Sequence, residues 1–313
     1  MISICIPTYN RASRLEISLN NTIDVIRKYH DVNICVSDND SDDNTYEIIN
    51  KFRQDFPDIL YKKNEYNLGF KKNFIKALSM SKARYRWLIG DDDYINELGF
   101  LDVLKYVRNS EKNYDLVIVN GDTGIEPSDQ ITRVITNRNE VLQKIGYHMT
   151  WISSIIFSSE FINKNNILEK MDKCENAFPH TTAIFESLPN KCNVLWVNSK
   201  TVVPIGGRPS YYNRMIEIFI KDWYLVISKN KNRYSRKALK EYLDKTPIDV
   251  RYLVKAKKEG IWNLYNLKIM FTYALFYSNG FIWITAFITS IIIPDFVFQF
   301  YKRLKNNIEE KND

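Results

Sequence analysis

An α/β fold, with a mostly parallel sheet covered by helices on both faces and followed by a C-terminal α-helical region, is what this sequence predicts. Three observations carry the prediction. Over the first 120 residues short β-branched runs alternate with longer amphipathic stretches, the pattern of strands joined by crossover helices. The chain has 313 residues, 45% hydrophobic and 26% charged, enough to bury a large core and far from a disordered composition. From Tyr211 onward the periodicity is helical almost to the end.

Taken in order, the first strand is expected over Ile2–Ile6. Leu15, Leu19, Ile23 and Ile26 then recur at three- or four-residue spacing and mark the apolar face of a helix. Further strands are expected at Val32–Ser37, Ile59–Tyr61, Tyr85–Ile89 and Leu116–Val119. Beyond Asn120 the alternation weakens through Gly121–Gln130. Strands follow near Ile131–Thr136, at Ile152–Phe157 and at Val194–Val203, around a helix near Thr181–Leu188. This divides the chain into an α/β domain of residues 1–208 and a helical region of residues 209–313. The four cysteines form no CxxC pair, and no hydrophobic signal peptide opens the chain, so a reduced, cytoplasmic setting is expected. Cys5 and Cys35 fall inside strands and read as core thiols.

The net charge of +7 is unevenly placed: residues 221–313 carry 17 Lys and Arg against 9 Asp and Glu. Aromatic and aliphatic residues crowd the same segment, which favours an anionic membrane over nucleic acid as partner. Residues Ile269–Pro294 hold no charged side chain, but Asn279-Gly280 interrupts the run. Each part is shorter than the ~20 residues that cross a bilayer, so a hairpin lying in the interface is expected. Trp262, Tyr265, Tyr273, Tyr277 and Trp283 suit an interfacial belt, and Lys255, Lys257, Lys258, Lys302, Arg303 and Lys305 flank the run. The expected location is peripheral, on the cytoplasmic membrane face.

In an open α/β sheet, ligands bind beyond the carboxyl ends of strands. Three such ends are rich in polar residues: Pro7-Thr8-Tyr9-Asn10-Arg11, Ser37-Asp38-Asn39-Asp40-Ser41-Asp42-Asp43 and Gly90-Asp91-Asp92-Asp93-Tyr94. The first two also suit a turn and a helix cap. Three consecutive carboxylates repel one another unless a cation or donors compensate, and such hard oxygen ligands suit Mg²⁺ or Mn²⁺ shared with a diphosphate.

These segments, with Asn67-Leu68-Gly69-Phe70 between the second and third, occur in an order and spacing that resembles family 2 glycosyltransferases of GT-A fold. The Gly-Asp-Asp-Asp-Tyr wording is similar to the bacterial abequosyltransferase-type branch that builds O-antigen and capsule. The resemblance covers residues 1–95 best. It implies an inverting transfer of sugar from a nucleotide-diphosphate sugar to a lipid-linked surface polysaccharide. It also implies that Pro7, Thr8, Tyr9, Asn10 and Arg11 line the nucleotide, that Asp38 accepts a hydrogen bond from base or ribose, and that Asn67 and Gly69 border the pocket. Members commonly read Asp-x-Asp-Asp before an aromatic residue, and alignment on Tyr94 puts Gly90 at the first Asp. Asp92 then becomes the direct ligand of Mg²⁺ or Mn²⁺, supported by Asp93, with Asp91 toward the nucleotide; a pairing of Asp91 with Asp93 stays open.

The acceptor hydroxyl needs a base. At the position where members carry Glu-Asp this chain reads Pro179-His180, which makes His180 the expected base, with Glu175 and then Asp172 behind it. His30 and His148 are expected to be non-catalytic. Gly206-Gly207-Arg208 follows a strand and suits an anionic diphosphate as well as an ordinary turn. Two rivals remain: a non-catalytic assembly protein of the same fold, kept open by His180, and a sugar nucleotidyltransferase, disfavoured because no Gly-rich basic loop follows the first strand.

Overall fold

The computed structural model describes residues 1–108, 113–121, 129–207, 211–248, 250–261 and 263–285. Strands β1 (Ile2–Thr8), β2 (Val32–Asp38), β3 (Ile59–Lys63) and β4 (Tyr85–Leu88) alternate with helices α1 (Ala12–Ile26), α2 (Thr45–Asp55) and α3 (Phe70–Met80). Next come β5 (Asp93–Ile95), α4 (Glu97–Val107), β6 (Leu116–Gly121), β7 (Arg133–Asn137), α5 (Arg138–Ile145), β8 (Ile155–Ser158), α6 (Ser159–Lys164), α7 (Ile167–Asp172), α8 (Pro179–Ser187) and β9 (Lys191–Pro204). The sheet order is β3-β2-β1-β4-β8-β6-β9-β5, with β7 also paired to β9.

The expected parallel sheet is its first half. β1 pairs in parallel with β2 and β4, and β2 with β3. Past β4 the sheet is mixed: β8 runs antiparallel to β4 and β6, β5 and β7 antiparallel to β9, and β6 parallel to β9. Two boundaries differ from the sequence reading. Ile152–Ser154 is a 3₁₀ turn rather than strand, because Ser154 Oγ bonds back to the carbonyls of His148 and Trp151. Asp93–Ile95, expected to be loop, pairs with Val202–Pro204 of β9.

Helix α1 buries Leu15, Leu19, Ile23 and Ile26 against Ile2, Ile4 and Ile6 of β1 and Val32, Ile34 and Val36 of β2 in one core cluster. Each such side chain contributes roughly 1.5–3 kcal/mol on full burial. Cys5 and Cys35 are register partners, buried and free. The cluster fixes the carboxyl ends of β1, β2 and β4 side by side, and from those ends the polar segments emerge.

By contacts the chain divides into two compact units: Met1–Arg208 with Val226–Tyr242, and the remainder. A π-helical turn (Glu217–Asp222) lies in the second unit, and α9 (Trp223–Ser228) follows it and runs on into the first. α10 (Arg236–Leu243) belongs to the first unit up to Tyr242, and α11 (Val250–Lys258) and α12 (Leu264–Tyr273) belong to the second. α12 ends in a 3₁₀ turn at Ala274–Phe276, and helix resumes at residue 280. The uncharged run is thus broken where the sequence suggests. Two of its aromatics, however, are not exposed: Tyr277 and Trp283 are each 4% accessible, their rings are 5.2 Å apart, and the Tyr277 hydroxyl donates to the Ile220 carbonyl at 2.6 Å. They form core rather than an interfacial belt. Trp262, Lys302, Arg303 and Lys305, with the rest of residues 286–313, lie outside the described residues.

Candidate active site

The carboxyl end of β1 is clipped to the loop after β2. Asn10, in a left-handed conformation (φ 51°), donates its backbone N–H to Ser41 Oγ at 2.9 Å and accepts from the Asp42 N–H at 2.9 Å. The Ala12 N–H donates to Asp43 at 2.8 Å. The strap from Pro7 to Arg11 is therefore held at both ends, with Tyr9 left 43% exposed.

Asp38, expected to meet base or ribose, is 1% exposed. Its Oδ1 accepts from the Ser41 N–H at 2.8 Å and its Oδ2 from the Tyr61 hydroxyl at 2.7 Å. Burial and the Asp38 charge raise the Tyr61 phenol well above its ordinary range, so it stays a donor. In this arrangement Asp38 shapes the pocket through Tyr61 and the Ser41 turn.

Beside it lies a relay of asparagines. Asn39 Nδ2 donates to Asn67 Oδ1 at 2.7 Å, and Asn39 Oδ1 accepts from the Leu68 N–H at 2.9 Å. Asn67 Oδ1 also accepts from the Gly69 N–H at 2.8 Å. Gly69 takes φ 79°, ψ 160° ahead of α3, a region essentially reserved for glycine. Asn73 on α3 ties Thr8 and Ser37 together through their carbonyls, at 3.2 and 3.1 Å.

The acidic triplet does not converge. Asp91, 5% exposed, uses both oxygens: Oδ2 accepts from Thr8 Oγ1 at 2.8 Å and Oδ1 from Arg11 Nη1 at 2.9 Å. Desolvation pushes its carboxyl up, against the pull of Arg11. Asp93, expected to support a metal, is 4% exposed and is bound instead by Trp151 Nε1 at 2.9 Å and Ser153 Oγ at 2.5 Å, both on Oδ2. Burial raises it to about 7, and its Oδ1 makes no hydrogen bond among the described residues. Asp92 remains. Its side chain is 33% exposed, and its Oδ2 lies 2.9 Å from Arg11 Nη1 and 3.5 Å from Arg14 Nη1. Arg14 Nη1 also donates to the Gly206 carbonyl at 3.2 Å. Burial weakens the charge on Arg11, but the Asp91 and Asp92 carboxylates outweigh it and hold the guanidinium above its ordinary value.

Among the described residues no three His, Cys, Asp or Glu side chains are grouped to hold a metal. The fit for Mg²⁺ or Mn²⁺ is through one carboxylate. Asp92 Oδ1 makes no hydrogen bond among the described residues, and a Cβ at Gly90 would sit 3.0 Å from it. Glycine at that position thus leaves the oxygen room that a side chain would crowd. One carboxylate, with phosphate and water oxygens, suits such a cation.

His180, expected as base, is 1% exposed with its ring against Phe74. Burial pulls it down to about 4, the backbone of Thr150 and Met149 opposing only in part, and neither ring nitrogen has a well-formed hydrogen bond among the described residues. An imidazole so enclosed presents no lone pair to an incoming hydroxyl. Glu175 is exposed, on the loop before α8. Lys71, in the first turn of α3, donates to the carbonyls of Asp172 and Cys174, which ties that loop to the helix start bordered by Asn67 and Gly69. Arg208 lies outside the described residues.

Sequence reasoning missed Arg14, Trp151, Ser153 and Asn73. Arg14 had a signal, since it follows Arg11 by three residues and so shares its helix face.

Thus polar side chains gather at the carboxyl ends of parallel strands, with Arg11 and Arg14 paired to the carboxylates of the turn after β4. A profile of glycosyl transferase family 2 matches residues 3–185, more than half of the chain. The chain belongs to glycosyl transferase family 2. Among curated relatives of this family 2 chain, abequosyltransferase RfbV of Salmonella typhimurium is 45% identical over 96 residues, 30% of this chain and 28% of that protein. The poly(ribitol-phosphate) β-N-acetylglucosaminyltransferase TarP of Staphylococcus aureus is 27% identical over 173 residues, 53% of this chain and 51% of that protein. The matches thus span from about a quarter to half of those relatives' lengths. Among solved structures, S. aureus TarS 1–349 in complex with UDP-GlcNAc aligns over 92% of this chain and 81% of that one, with TM-score 0.57 at 17% identity. Mannosyltransferase PcManGT from Pyrobaculum calidifontis, in complex with GDP-Man and Mn²⁺, aligns over 93% and 86%, with TM-score 0.57 at 14% identity. At such identities the likeness is one of fold, and it bears out the GT-A class expected from the motifs.

Proposed function

We propose that this chain is an inverting, metal-dependent glycosyltransferase that moves a sugar from a nucleotide-diphosphate sugar to a lipid-linked surface polysaccharide. The observation that carries the reading is the convergence of Arg11, Arg14 and Asp92 beyond β1 and β4 in a family 2 chain. The relatives' names, and the UDP-GlcNAc and GDP-Man complexes of chains with this fold, support a nucleotide-sugar donor.

In this reading Pro7–Arg11, Asn67 and Gly69 line the nucleotide. Asp92 would hold the Mg²⁺ or Mn²⁺, which when bound neutralises charge on the departing diphosphate. Arg11 and Arg14 face the same diphosphate as fixed cations. Glu175 takes the proton of the acceptor hydroxyl as that oxygen bonds to the anomeric carbon and the bond to the diphosphate breaks, releasing nucleoside diphosphate. An exposed carboxylate suits this work better than the enclosed His180. With donor and a saccharide acceptor, Glu175→Gln should lose about a hundredfold or more in transfer with donor affinity unchanged. Full activity of Glu175→Gln would remove it from the chemistry.

The acceptor's lipid places the chain at a membrane surface. No helix among the described residues is long and apolar enough to cross a membrane. Residues Leu264, Lys268, Phe271 and Leu275 repeat along one face of α12 and its turn, and Leu264, Phe271 and Leu275 are 85%, 53% and 66% exposed. Lys257, toward the end of α11, and Lys268 supply positive charge nearby in sequence, as an anionic lipid surface requires. Flotation with vesicles containing phosphatidylglycerol should retain the protein, and Leu264→Gln with Phe271→Gln should release it. Equal binding of the double variant would exclude this face. A folded chain that binds no nucleotide sugar would leave only the non-catalytic assembly role.

A further inference from the structure

Lys71, in the first turn of α3, reaches a loop about a hundred residues further along the chain. Its Nζ donates to the Cys174 carbonyl at 2.9 Å and to the Asp172 carbonyl. Asp172 is the last residue of α7, and Cys174 lies just past the cap. Carbonyls at a helix C-terminus have no partner inside the helix, and an ammonium there supplies donors and meets the negative end of the dipole.

The far side of the loop is held separately. Asn176 Oδ1 accepts from the Phe178 N–H at 2.9 Å, and Asn176 Nδ2 donates to Thr182 Oγ1 of α8 at 3.0 Å. α8 is itself fixed by Thr181 Oγ1, which donates to the Met149 carbonyl at 2.6 Å. Between these anchors Cys174 is buried and Glu175 is exposed. Glu175 therefore stands on a short span pinned on one side by Lys71 and on the other by α8. The helix that carries Lys71 starts at Asn67 and Gly69, the residues read above as bordering the nucleotide, so Lys71 refers the place of Glu175 to that pocket.

We propose that Lys71 is a positioning residue for transfer: its ammonium holds residues 172–175 so that the Glu175 carboxylate keeps one place relative to the nucleotide pocket. The lysine itself touches neither donor nor acceptor. An error of about 1 Å in the place of a catalytic group costs about a hundredfold in rate, so freeing the loop should slow turnover and leave donor binding alone. The catalytic half of the proposal rests on the reading of Glu175 as base; the positional half stands without it.

Hydrogen exchange of the full chain, followed by mass spectrometry, compares the wild type with Lys71→Met, which keeps the apolar stem without the charge, and Lys71→Arg, which keeps a cation. Amides of residues 172–178 should exchange about tenfold or more faster in Lys71→Met and within about threefold of wild type in Lys71→Arg, with α3 and β1 unchanged in both. Unchanged exchange over 172–178 overturns the proposal, and so does faster exchange throughout α3 and β1, which is a general loss of stability. In a second arm, release of nucleoside diphosphate from UDP-N-acetylglucosamine, GDP-mannose, CDP-glucose and dTDP-glucose is measured with Mn²⁺ and with water as acceptor. For a donor that turns over, Lys71→Met should lower kcat about tenfold or more with KM within about twofold, and Lys71→Arg should restore most of it. In the Glu175→Gln background Lys71→Met should cost less than about a further twofold, because both changes act through one carboxylate. An undiminished kcat in Lys71→Met, or its full loss repeated on top of Glu175→Gln, overturns the positioning role. Full activity of Glu175→Gln removes the base reading instead, and the exchange result then decides the loop assignment alone, as it does if none of the four donors turns over.

Discussion

Replacing His180 by leucine should make the fold less sensitive to acid, and the size of the effect follows from its burial. The imidazole is 1% exposed, and burial lowers it from its ordinary value near 6.5 to about 4. Between those values the unfolded chain binds a proton that the folded chain refuses, so stability is present above pH 6.5 and is lost as the pH falls toward 4. The linkage integral gives a loss of about 2 kcal/mol between pH 7 and pH 5 and about 3 kcal/mol by pH 4. The influences on the ring are burial and backbone, with no ionised side chain among them, so the effect belongs to this residue. Urea denaturation of wild type and His180→Leu at pH 7, 6 and 5 measures it. Any constant cost of repacking against Phe74 cancels when each protein is compared with itself across pH. The wild type should lose about 2 kcal/mol more than the variant between pH 7 and pH 5. Parallel stability curves would refute the enclosed, neutral histidine. The same variant should keep its transfer activity if Glu175 is the base.

Three further outcomes follow from the packing. Tyr61→Phe removes one of the two donors of buried Asp38 and should cost about 1–3 kcal/mol in urea denaturation, with weaker nucleotide binding in calorimetry. Gly69→Ala forces a side chain into a backbone conformation at φ 79°; a loss of about 1–3 kcal/mol is expected, read as a lower urea midpoint. Asp93→Asn can still accept from Trp151 and Ser153. It should therefore leave the Mn²⁺ affinity near wild type, while Asp92→Asn lowers it in the presence of nucleotide by about tenfold or more.

The parallel half of the fold was legible because its signal is local. Strands β1 and β2 are rich in β-branched residues, β3 and β4 are short runs of apolar and aromatic residues, and α1 shows its apolar stripe within fifteen residues. In the mixed half strands β6 to β9 were expected close to where they lie, but their pairing was not legible, since the partners of β5, β7 and β8 lie far away in sequence and nothing in Asp93–Ile95 announces pairing with β9. The site shows the same contrast. Its location came from motifs at strand ends, but the division of labour within the acidic triplet came from residues that carry no motif. Trp151 and Ser153 hold one oxygen of buried Asp93, Thr8 and Arg11 occupy both oxygens of Asp91, and Asp92 is the most exposed of the three. His180 was selected by alignment with an acidic position, and burial, which a sequence motif does not report, removes it from reach. Arg14 carries no motif of its own, and the residue that holds it, Gly206, lies almost two hundred residues away.

In the proposed reading the strand ends gather a nucleotide-sugar site around Arg11, Arg14 and Asp92. The most direct measurement is calorimetric titration of UDP-, GDP-, CDP- and dTDP-sugars into the wild type and Asp92→Ala, each with and without Mn²⁺. At least one donor class should bind the wild type in Mn²⁺ and lose about tenfold or more of its affinity both when Mn²⁺ is omitted and in Asp92→Ala. Failure of every donor to bind a folded wild type, or an equal affinity in Asp92→Ala, would contradict it.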